Sequence, residues 1–521
     1  ADDPAWREAH VSRAQRMLER DKNHASINFW SSGNEAGYGQ NFAAMLDFFH
    51  SRDPSRPVHY EGTTKDQGLE NMTKYSDMES RMYSQPGHLG KFKDSSVFLL
   101  CEYTHAMGNS NGNLDHYWYG DIYPNLHHAG AYVWDWRDQG LREPVPEEFA
   151  KNIGFGPVKT TAFAYGGWYE DALGIAHDGN FCMNGLISSD GTPHPGLNAI
   201  KHVYRNLHVS AIDAARGKFK VKSWFDFSAA ESLVDAHWTV LENGREIAAG
   251  KLKKFKLSAR GESKISLNFK KIKFKQDREY FVDFVFTAKD RYHPLVAAGH
   301  PLTHEQFALN TPELIAAETG RSVLHTFEDS EVIKVEGAGL EVVFNRKTGE
   351  MTDYSLRGKT LLSRGPMPEF WRPTEDNANP NVRGWPRNFT SKEAHFKFMN
   401  ARQHWTPQVH KTTLSDGTVE VKVAGELKGF DAELSMVYTI HDTGLIDVNV
   451  DYQFEHLPGG DRGTYLKIGT ELKVPAGFEQ VAWYGRGPDE TYRDRKFDAI
   501  GIYENTVDGL WFDYSKPQEN G

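Results

Sequence analysis

The sequence predicts an α/β region followed by two all-β regions. From Ala1 to about Gly196, helical patterns alternate with short apolar strand patterns. From about Asn198 the helical pattern stops, and segments with alternating apolar and polar residues continue to the end. Strand–helix alternation is typical of a parallel sheet with covered faces, either a closed barrel or a doubly wound sheet. The 521 residues are enough for about three domains.

The α/β region begins with a helix. Asp2, Asp3 and Pro4 are typical of a helix start, and residues 6–20 carry apolar side chains at helical spacing. A second helix is predicted over residues 41–50. The predicted strands are residues 26–30, 57–60, 75–83, 96–102 and 129–136.

Short strands dominate the rest of the chain. Residues 218–226, 233–242 and 279–287 alternate, and Asn243-Gly244 indicates a hairpin turn. About 110 residues of this kind suit an immunoglobulin-like sandwich. Further strands at 332–335, 340–344, 418–427, 434–440 and 445–454, the last two joined by a turn at residues 441–444, indicate a second, larger β-sandwich. With a polar linker at residues 308–321, we predict domains at 1–197, 198–310 and 319–521.

Composition excludes several classes. The net charge is −11 and no long basic stripe occurs, so nucleic acid is not an expected partner. No apolar run of about 18 residues occurs, so we expect no membrane span. Two cysteines, Cys101 and Cys182, argue against a disulfide scaffold and fit a reducing compartment. We expect a cytoplasmic protein, with the periplasm as the alternative because the sequence begins at Ala1. The aromatic fraction, 13%, fits either aromatic β cores or a carbohydrate site.

Two carboxylates follow predicted strands. Glu35 lies among glycines after the strand at 26–30, and Glu102 stands at the tip of the apolar strand at 96–102, with no turn residue before it. A carboxylate at a strand tip is costly unless it is hydrogen-bonded or functional. Two such groups are what glycoside hydrolysis requires, one as proton donor and one as nucleophile or base. The alternative is a solvated loop glutamate and a structural ion pair.

Two other segments carry candidate residues. Trp134 stands beside Asp135 and Trp136 at a strand end, where an indole either stacks on a sugar or packs in the core. In residues 181–185 the apolar side chains indicate packing, and Asn184 indicates a loop hydrogen bond.

Several long motifs occur in a consistent order along nearly the whole chain. They are FWSSGNEAGYG at 29–39, LLCEYTHAMGNSNG at 99–112, AYVWDWRDQGL at 131–141, NFCMNGL at 180–186 with TPHPGL at 192–197, and WYGRGPDETYRDR at 483–495. Together they resemble the large lactose-operon-type bacterial β-galactosidases of glycoside hydrolase family 2. The resemblance implies that residues 1–197 are the C-terminal part of a catalytic (β/α)8 TIM barrel.

The resemblance also implies roles for the candidate residues. Glu35 corresponds to the family's acid/base and Glu102 to its nucleophile. Asn34 corresponds to a residue that hydrogen-bonds the sugar 2-hydroxyl, Tyr83 to a tyrosine close to the nucleophile, and His105 to a galactose-binding histidine. The implied reaction is retaining hydrolysis of terminal β-D-galactose, as in lactose-like β-galactosides.

Further implied roles concern the pocket and metal ions. Trp134 corresponds to the floor of the galactosyl pocket. Phe181, through its carbonyl, and Asn184 correspond to ligands of Na⁺, and Glu35 also corresponds to a ligand of Mg²⁺. The resemblance implies a homo-oligomer, since relatives are often dimers or tetramers.

The sequence departs from the family pattern in three ways. The family's upstream magnesium and sodium ligands have no counterpart, and only four or five strand units precede the β regions. We therefore expect a fragment that lacks the N-terminal domains, early barrel strands and extreme C-terminus, and that is poorly soluble or inactive by itself. Ala36 and Tyr38 stand where close relatives often have Ser and His, which leaves the aglycone open.

Three alternatives remain at this point. One is another retaining β-glycosidase of the same fold, such as a β-glucuronidase or a hydrolase of modified galactosides. The second is a non-catalytic sugar-binding scaffold, against which the presence of both carboxylates argues. The third is a large subunit that needs a partner chain.

Overall fold

The computed structural model describes residues 1–62, 74–89, 97–147, 160–167, 174, 176–177, 179–252, 255–313, 322–373, 392–455 and 467–516. The chain divides into two compact units. The first holds Ala1–Arg205, Thr491–Phe497 and Tyr514–Lys516, and the second holds Asn206–Glu490 and Asp498–Asp513. The domain boundaries predicted from the sequence, 1–197, 198–310 and 319–521, stay predictions. Most of the linker predicted at 308–321 lies outside the described residues.

The first unit contains the predicted alternation of helices and parallel strands. The Asp3 carboxylate caps the turn Pro4–Trp6 by accepting from the Ala5 N–H at 2.9 Å. The helices are α1 (Arg7–Asp21), α2 (Gln40–Arg52) and α3 (Gly196–Val203), with a π-helical turn at His116–Ile122. The strands are β1 (Trp30–Ser31), β2 (Val58–His59), β3 (Glu79–Met82), β4 (Phe98–Tyr103), β5 (His128–Val133), β6 (Leu141–Pro144) and β7 (Thr161–Ala164).

Parallel pairing sets the strand ends side by side. β1 pairs with β2, and β3, β4 and β5 form a parallel sheet in that order. β1 is shorter than the strand predicted at 26–30 and begins later in the chain. Its backbone hydrogen bonds toward β2 begin only at Trp30, whose N–H donates to Pro57 O at 2.9 Å. β6 and β7 form an antiparallel pair.

The strand β4 lies in the core of the first unit, which explains why its sequence is continuously apolar. Phe98, Leu100 and Tyr103 of β4 are fully buried, as expected for a parallel strand covered on both faces. α1 and α2 pack over β1 and β2, where Phe49 stacks on Trp30 at 5.9 Å between ring centroids.

The second unit begins with a two-sheet sandwich. One sheet has the order β11-β10-β13-β14 and the other β12-β9-β8. Phe219 and Phe284 meet between the sheets, 4.8 Å apart and edge to face. The predicted hairpin at Asn243-Gly244 is confirmed, with φ of 46° and 76°, the two positive values of a type I′ turn. The elements are β8 (Leu207–Asp213), β9 (Lys218–Ser223), α4 (Ala230–Leu233), β10 (Val234–Glu242), β11 (Arg245–Lys251), β12 (Glu262–Ser266), β13 (Tyr280–Ala288) and β14 (Pro301–Ala308).

A second, larger set of sheets follows. Sheets β15 to β19 and β21 to β24 share one core, in which Phe344 and Tyr438 lie 5.0 Å apart. The predicted turn at 441–444 joins β23 and β24, with Gly444 N–H donating to His441 O at 3.0 Å. The fold class predicted from the sequence is therefore confirmed for the β regions.

The remaining elements complete the second unit. They are β15 (His325–Glu328), β16 (Val332–Gly337), β17 (Leu340–Asn345), β18 (Met351–Leu356), β19 (Lys359–Leu362), β20 (Arg364–Glu369), α5 (Lys392–Met399), the 3-10 turn Ala401–His404, β21 (Trp405–Thr413), β22 (Val419–Leu427), β23 (Ala432–Ile440), β24 (Ile446–Phe454), β25 (Gly469–Lys473), β26 (Gln480–Gly487), β27 (Ala499–Thr506) and the 3-10 turn Asp508–Leu510. Across the described parts of both units, no helix has the length and apolar character needed to cross a membrane.

Candidate active site

The predicted site residues lie at the carboxyl ends of the parallel strands. Glu35 follows β1, Tyr83 follows β3, Glu102 is the fifth residue of β4, and Trp134 follows β5. Two strands, β2 and β3, separate those that carry the two carboxylates. In parallel α/β barrels this edge is the face where active sites are built.

Glu102 lies in a buried polar setting. Its side chain accepts hydrogen bonds from the side chains of Tyr83 and Asn34, and the residue is 8% exposed. Burial raises the pKa of the Glu102 carboxyl, and the nearby Glu35 and Glu61 carboxylates raise it further by repulsion. Burial, and then the charge of Glu102, likewise raise the pKa of the Tyr83 phenol. At neutral pH Tyr83 is thus a hydrogen-bond donor to the carboxylate.

Three site residues hold the backbone in the left-handed region. The φ angles are 46° at Glu35, 53° at Tyr83 and 42° at Thr104, all positions where a side chain is disfavoured. Such strain costs on the order of 1–3 kcal/mol per residue and gathers at functional sites. Each residue follows a parallel strand, so the conformation turns the chain sharply at the strand end.

Glu61 is a third carboxylate that the sequence analysis missed. It is 2% exposed, and its Oε1 accepts a hydrogen bond from the Glu35 N–H at 2.6 Å. Burial raises the pKa of the Glu61 carboxyl. The signal was available, because Glu61 closely follows the buried strand β2, just as Glu102 lies near the end of β4. Glu61 holds the strained backbone of Glu35 and adds negative charge near Glu102.

We expect Glu61→Gln to shift the acidic limb of the kcat/KM pH profile to lower pH. The charge of Glu61 raises the pKa of Glu102, so its removal lets Glu102 ionise at lower pH, while the Gln oxygen still accepts from Glu35 N–H. Initial rates between about pH 4 and 8 measure the shift. Glu8→Gln, the same charge change at an exposed position of α1, is the control and leaves the limb in place. An acidic limb that does not move, or that moves to higher pH, would contradict the effect of the Glu61 charge on Glu102.

Two rings extend the site from Tyr83. The His105 ring lies 6.0 Å from the Tyr83 ring and 5.8 Å from the Phe181 ring, between centroids. Phe181 is 52% exposed, so its ring borders solvent. The structure therefore brings the predicted sugar-binding histidine, the tyrosine and the predicted sodium-binding segment together.

Backbone hydrogen bonds join Trp134 to the neighbouring loops. Trp134 is half-buried, and its carbonyl accepts from the Ala106 N–H at 2.7 Å. The Asp135 N–H donates to the Asn184 carbonyl at 2.8 Å. The Gly185 N–H donates to Asp138 Oδ1 at 2.8 Å. The segment with Asn184 is thus held directly beside the one with Trp134.

We expect Gly185→Ala to destabilise this contact strongly. A Cβ at Gly185 would lie 2.2 Å from Asp138 N and 2.4 Å from Arg137 C, both backbone atoms that cannot rotate away. Overpacking of this kind costs about 1–3 kcal/mol. Denaturant unfolding measures the loss, and Gly120→Ala, where no atom lies within 4 Å of the added carbon, is the matched control. Equal stability of both variants would show that the two segments are not packed this closely.

The metal ligands implied by the family resemblance differ in how they fit. Asn184 Oδ1 is buried and accepts no hydrogen bond from the described residues. An oxygen left in this way suits a hard cation such as Na⁺. For magnesium, the described residues contain no group of three His, Cys, Asp or Glu side chains placed to hold a metal ion. Glu35 therefore stays a predicted magnesium ligand.

Comparison with known families accounts for most of the chain. Residues 1–209 match the TIM barrel domain of the glycosyl hydrolases family 2, residues 219–310 match domain 4 of β-galactosidase, and residues 336–521 match the β-galactosidase small chain. The three matches follow one another in the order that the sequence motifs predict. The α/β region of this chain thus matches glycoside hydrolase family 2, and both β regions match β-galactosidase domains. The chain's TIM-barrel region followed by β-rich domains confirms the predicted fold class.

Relatives named β-galactosidase match nearly the whole of this chain. A β-galactosidase of Priestia megaterium is 31% identical over 99% of this chain and 47% of its own length. A β-galactosidase of Pseudoalteromonas haloplanktis is 31% identical over 100% of this chain and 50% of its own length. The chain thus spans about half the length of these relatives. A solved β-glucuronidase of Parabacteroides merdae is 11% identical over 87% of this chain and 52% of its own, with a TM-score of 0.26, which decides nothing about fold or sugar.

Proposed function

We propose that this protein is a retaining exo-β-galactosidase that hydrolyses terminal non-reducing β-D-galactose residues by double displacement. The observation that carries the proposal is the setting of Glu102, a buried carboxylate at a parallel strand end that accepts from Tyr83 and Asn34 and is influenced by the charge of Glu35. Two interacting carboxylates at this face are the machinery of glycoside hydrolysis. The galactoside class is supported by relatives that carry the name β-galactosidase.

In the first step Glu102 attacks the anomeric carbon while Glu35 donates a proton to the departing glycosidic oxygen. The C–O bond to the aglycone breaks, and an ester between galactose and Glu102 forms through an oxocarbenium-like state. Tyr83 and Asn34 donate to the Glu102 carboxylate and hold it for in-line attack.

In the second step Glu35, now ionised, takes a proton from water, and the water oxygen attacks the anomeric carbon. The ester bond breaks and Glu102 departs as a carboxylate, whose return is eased by the Tyr83 hydroxyl. Two inversions give net retention. His105 and Trp134 border the place where the sugar would lie. A sodium ion held by Asn184 and the Phe181 carbonyl would supply positive charge to a sugar hydroxyl.

Covalent labelling tests the proposal. The native protein would be treated with a 2-fluoro galactoside that bears a good leaving group, and the labelled peptide identified by mass spectrometry. We expect a galactosyl adduct on Glu102. A label on another residue would refute the nucleophile assignment, and turnover without a label would refute the covalent mechanism.

The sugar class is tested by comparing galactoside with glucuronide and mannoside. We expect galactoside hydrolysis to dominate by kcat/KM. Faster glucuronide turnover would move the protein to the β-glucuronidases, and galactose binding without turnover of any of the three would favour a sugar-binding scaffold.

We also propose that the protein works in the cytoplasm. Cys101 and Cys182 are both thiols without a disulfide, the state that a reducing compartment maintains. Fractionation of the source cells, with β-galactosidase activity followed in the cytoplasmic and periplasmic pools, tests this.

A further inference from the structure

The segment Thr491–Phe497 belongs to the first unit although the chain on both sides of it belongs to the second. It forms the end of the motif WYGRGPDETYRDR, which the mechanism above does not use. Tyr492 and Arg495 exchange backbone hydrogen bonds of 3.1 and 3.0 Å, so the segment is a tight turn. Within the first unit Phe497 stacks on His202. The polar residues of the segment contact the loop of residues 104–113, which follows Glu102.

Arg495 is the centre of these contacts. The residue is 6% exposed, and its guanidinium donates to Asn111 Oδ1 at 3.0 Å and to Asn109 Oδ1. The Asn109 amide in turn donates to the Tyr492 hydroxyl at 3.1 Å. The guanidinium also lies over the Tyr492 ring, 5.3 Å from its centroid. Both asparagines are buried, so these bonds replace solvent.

The backbones of the turn and the loop meet closely. The Asn113 N–H donates to the Asp494 carbonyl at 3.0 Å. A Cβ at Gly112 would lie 1.9 Å from Asp494 Oδ2, so any side chain there would displace the Asp494 carboxylate. The segment therefore touches the loop through side chains and backbone alike.

The loop of residues 104–113 connects these contacts to Glu102. The Thr104 hydroxyl donates to the Gly112 carbonyl at 3.2 Å, which closes the loop two residues after Glu102. The left-handed backbone of Thr104 has to be held by its surroundings, since it is disfavoured by itself. His105, the predicted sugar-binding residue, lies in the same loop.

We propose that Arg495 is a positioning residue for the catalytic loop. It acts through Asn109 and Asn111 and sets the placement of Thr104, His105 and Glu102 without touching substrate. This inference rests on the proposed function for its effect on rate, but not for its effect on the loop.

The choice of arginine has a physical reason. Its guanidinium is a rigid fork that donates to two oxygens at once and stays charged at all working pH values. A lysine ammonium is a point donor on a flexible stem and does not reproduce that geometry. Loss of the fork leaves two buried amide oxygens without this donor, which favours an open loop.

The test compares Arg495→Met with Arg493→Met in the native protein. Arg493 is exposed in the same turn, so it controls for the loss of one positive charge. Hydrogen exchange followed by mass spectrometry reports peptides that cover residues 104–113. We expect exchange there to rise by about tenfold or more in Arg495→Met, with the β-sandwich peptides unchanged. We also expect kcat to fall by about tenfold or more while KM moves less than about threefold.

A milder variant covers the case in which Arg495→Met does not fold. Tyr492→Phe removes only the hydroxyl that accepts from Asn109, and we expect a smaller rise in exchange in the same peptides. Unchanged exchange at residues 104–113 in the folded variants overturns the proposal. A fall in kcat without a local change in exchange overturns it as well. If the unmodified protein fails to label at Glu102, the proposed function is wrong, while the exchange result still decides whether Arg495 holds the loop.

Discussion

Glu102→Gln is expected to lower kcat on galactosides by about 10⁴-fold or more, because an amide does not attack the anomeric carbon. The substitution keeps the size of the side chain and an oxygen that accepts from Tyr83. Steady-state rates on a nitrophenyl galactoside measure the loss. The melting temperature separates a chemical from a structural cause.

The same variant is expected to melt at the same temperature as the unmodified protein or above it near pH 7. Burial and two neighbouring carboxylates raise the pKa of Glu102, so its ionised form opposes folding at any pH above its unfolded pKa. This penalty is absent once pH falls below the unfolded pKa, and Gln removes it at all pH values. A clear fall in melting temperature at pH 7 would mean that the ionised carboxylate is structural.

Azide rescue of Glu102→Ala tests the nucleophile assignment through the anomeric configuration of the product. Azide in the space left by the carboxylate attacks the anomeric carbon from the α face, and a single inversion gives the α-galactosyl azide. The β-azide, or no rescue by azide together with retained turnover, would contradict a nucleophile at Glu102.

Glu35→Ala is expected to lower kcat/KM according to the leaving group. General acid assistance contributes about 10²–10⁴-fold, and an aglycone that leaves as a stable phenolate needs little of it. Lactose hydrolysis should therefore fall far more than hydrolysis of a dinitrophenyl galactoside. If both substrates fall by the same factor, Glu35 is not the proton donor.

Azide provides the matched control for this second variant. In Glu35→Ala, azide reaches the galactosyl ester from the β face in place of activated water, so the expected product is the β-galactosyl azide. Opposite azide stereochemistry in the two alanine variants would assign both carboxylates with one assay. An α product from Glu35→Ala would reverse the two roles.

Local sequence patterns were sufficient to predict several elements of the fold. The apolar run before Glu102 became β4, buried on both faces, because a parallel strand inside an α/β unit requires continuous apolar residues. Asn243-Gly244 became a type I′ turn because both residues tolerate positive φ. Strand length was harder, since β1 begins only where its hydrogen bonds to a distant partner begin.

The position of strand ends in the sequence also identified both carboxylates. Glu35 and Glu102 were found because each follows an apolar strand, and parallel strands align their carboxyl ends. Glu61 obeys the same rule, since it follows the strand predicted at residues 57–60, but it was missed. Its burial against the Glu35 backbone appears only in three dimensions.

By itself, then, the sequence determined the order of α/β and β regions, the positions of two turns and the two strand-end carboxylates, because periodicity, turn chemistry and strand ends are local properties. Only the tertiary structure decided that Glu61 supports Glu35 and that Arg495 holds Asn109 and Asn111. These contacts join residues far apart in the chain. Hydrogen bonds between single side chains leave no periodicity in the sequence, so no local pattern predicts them. Only tertiary packing brings the donors to their acceptors.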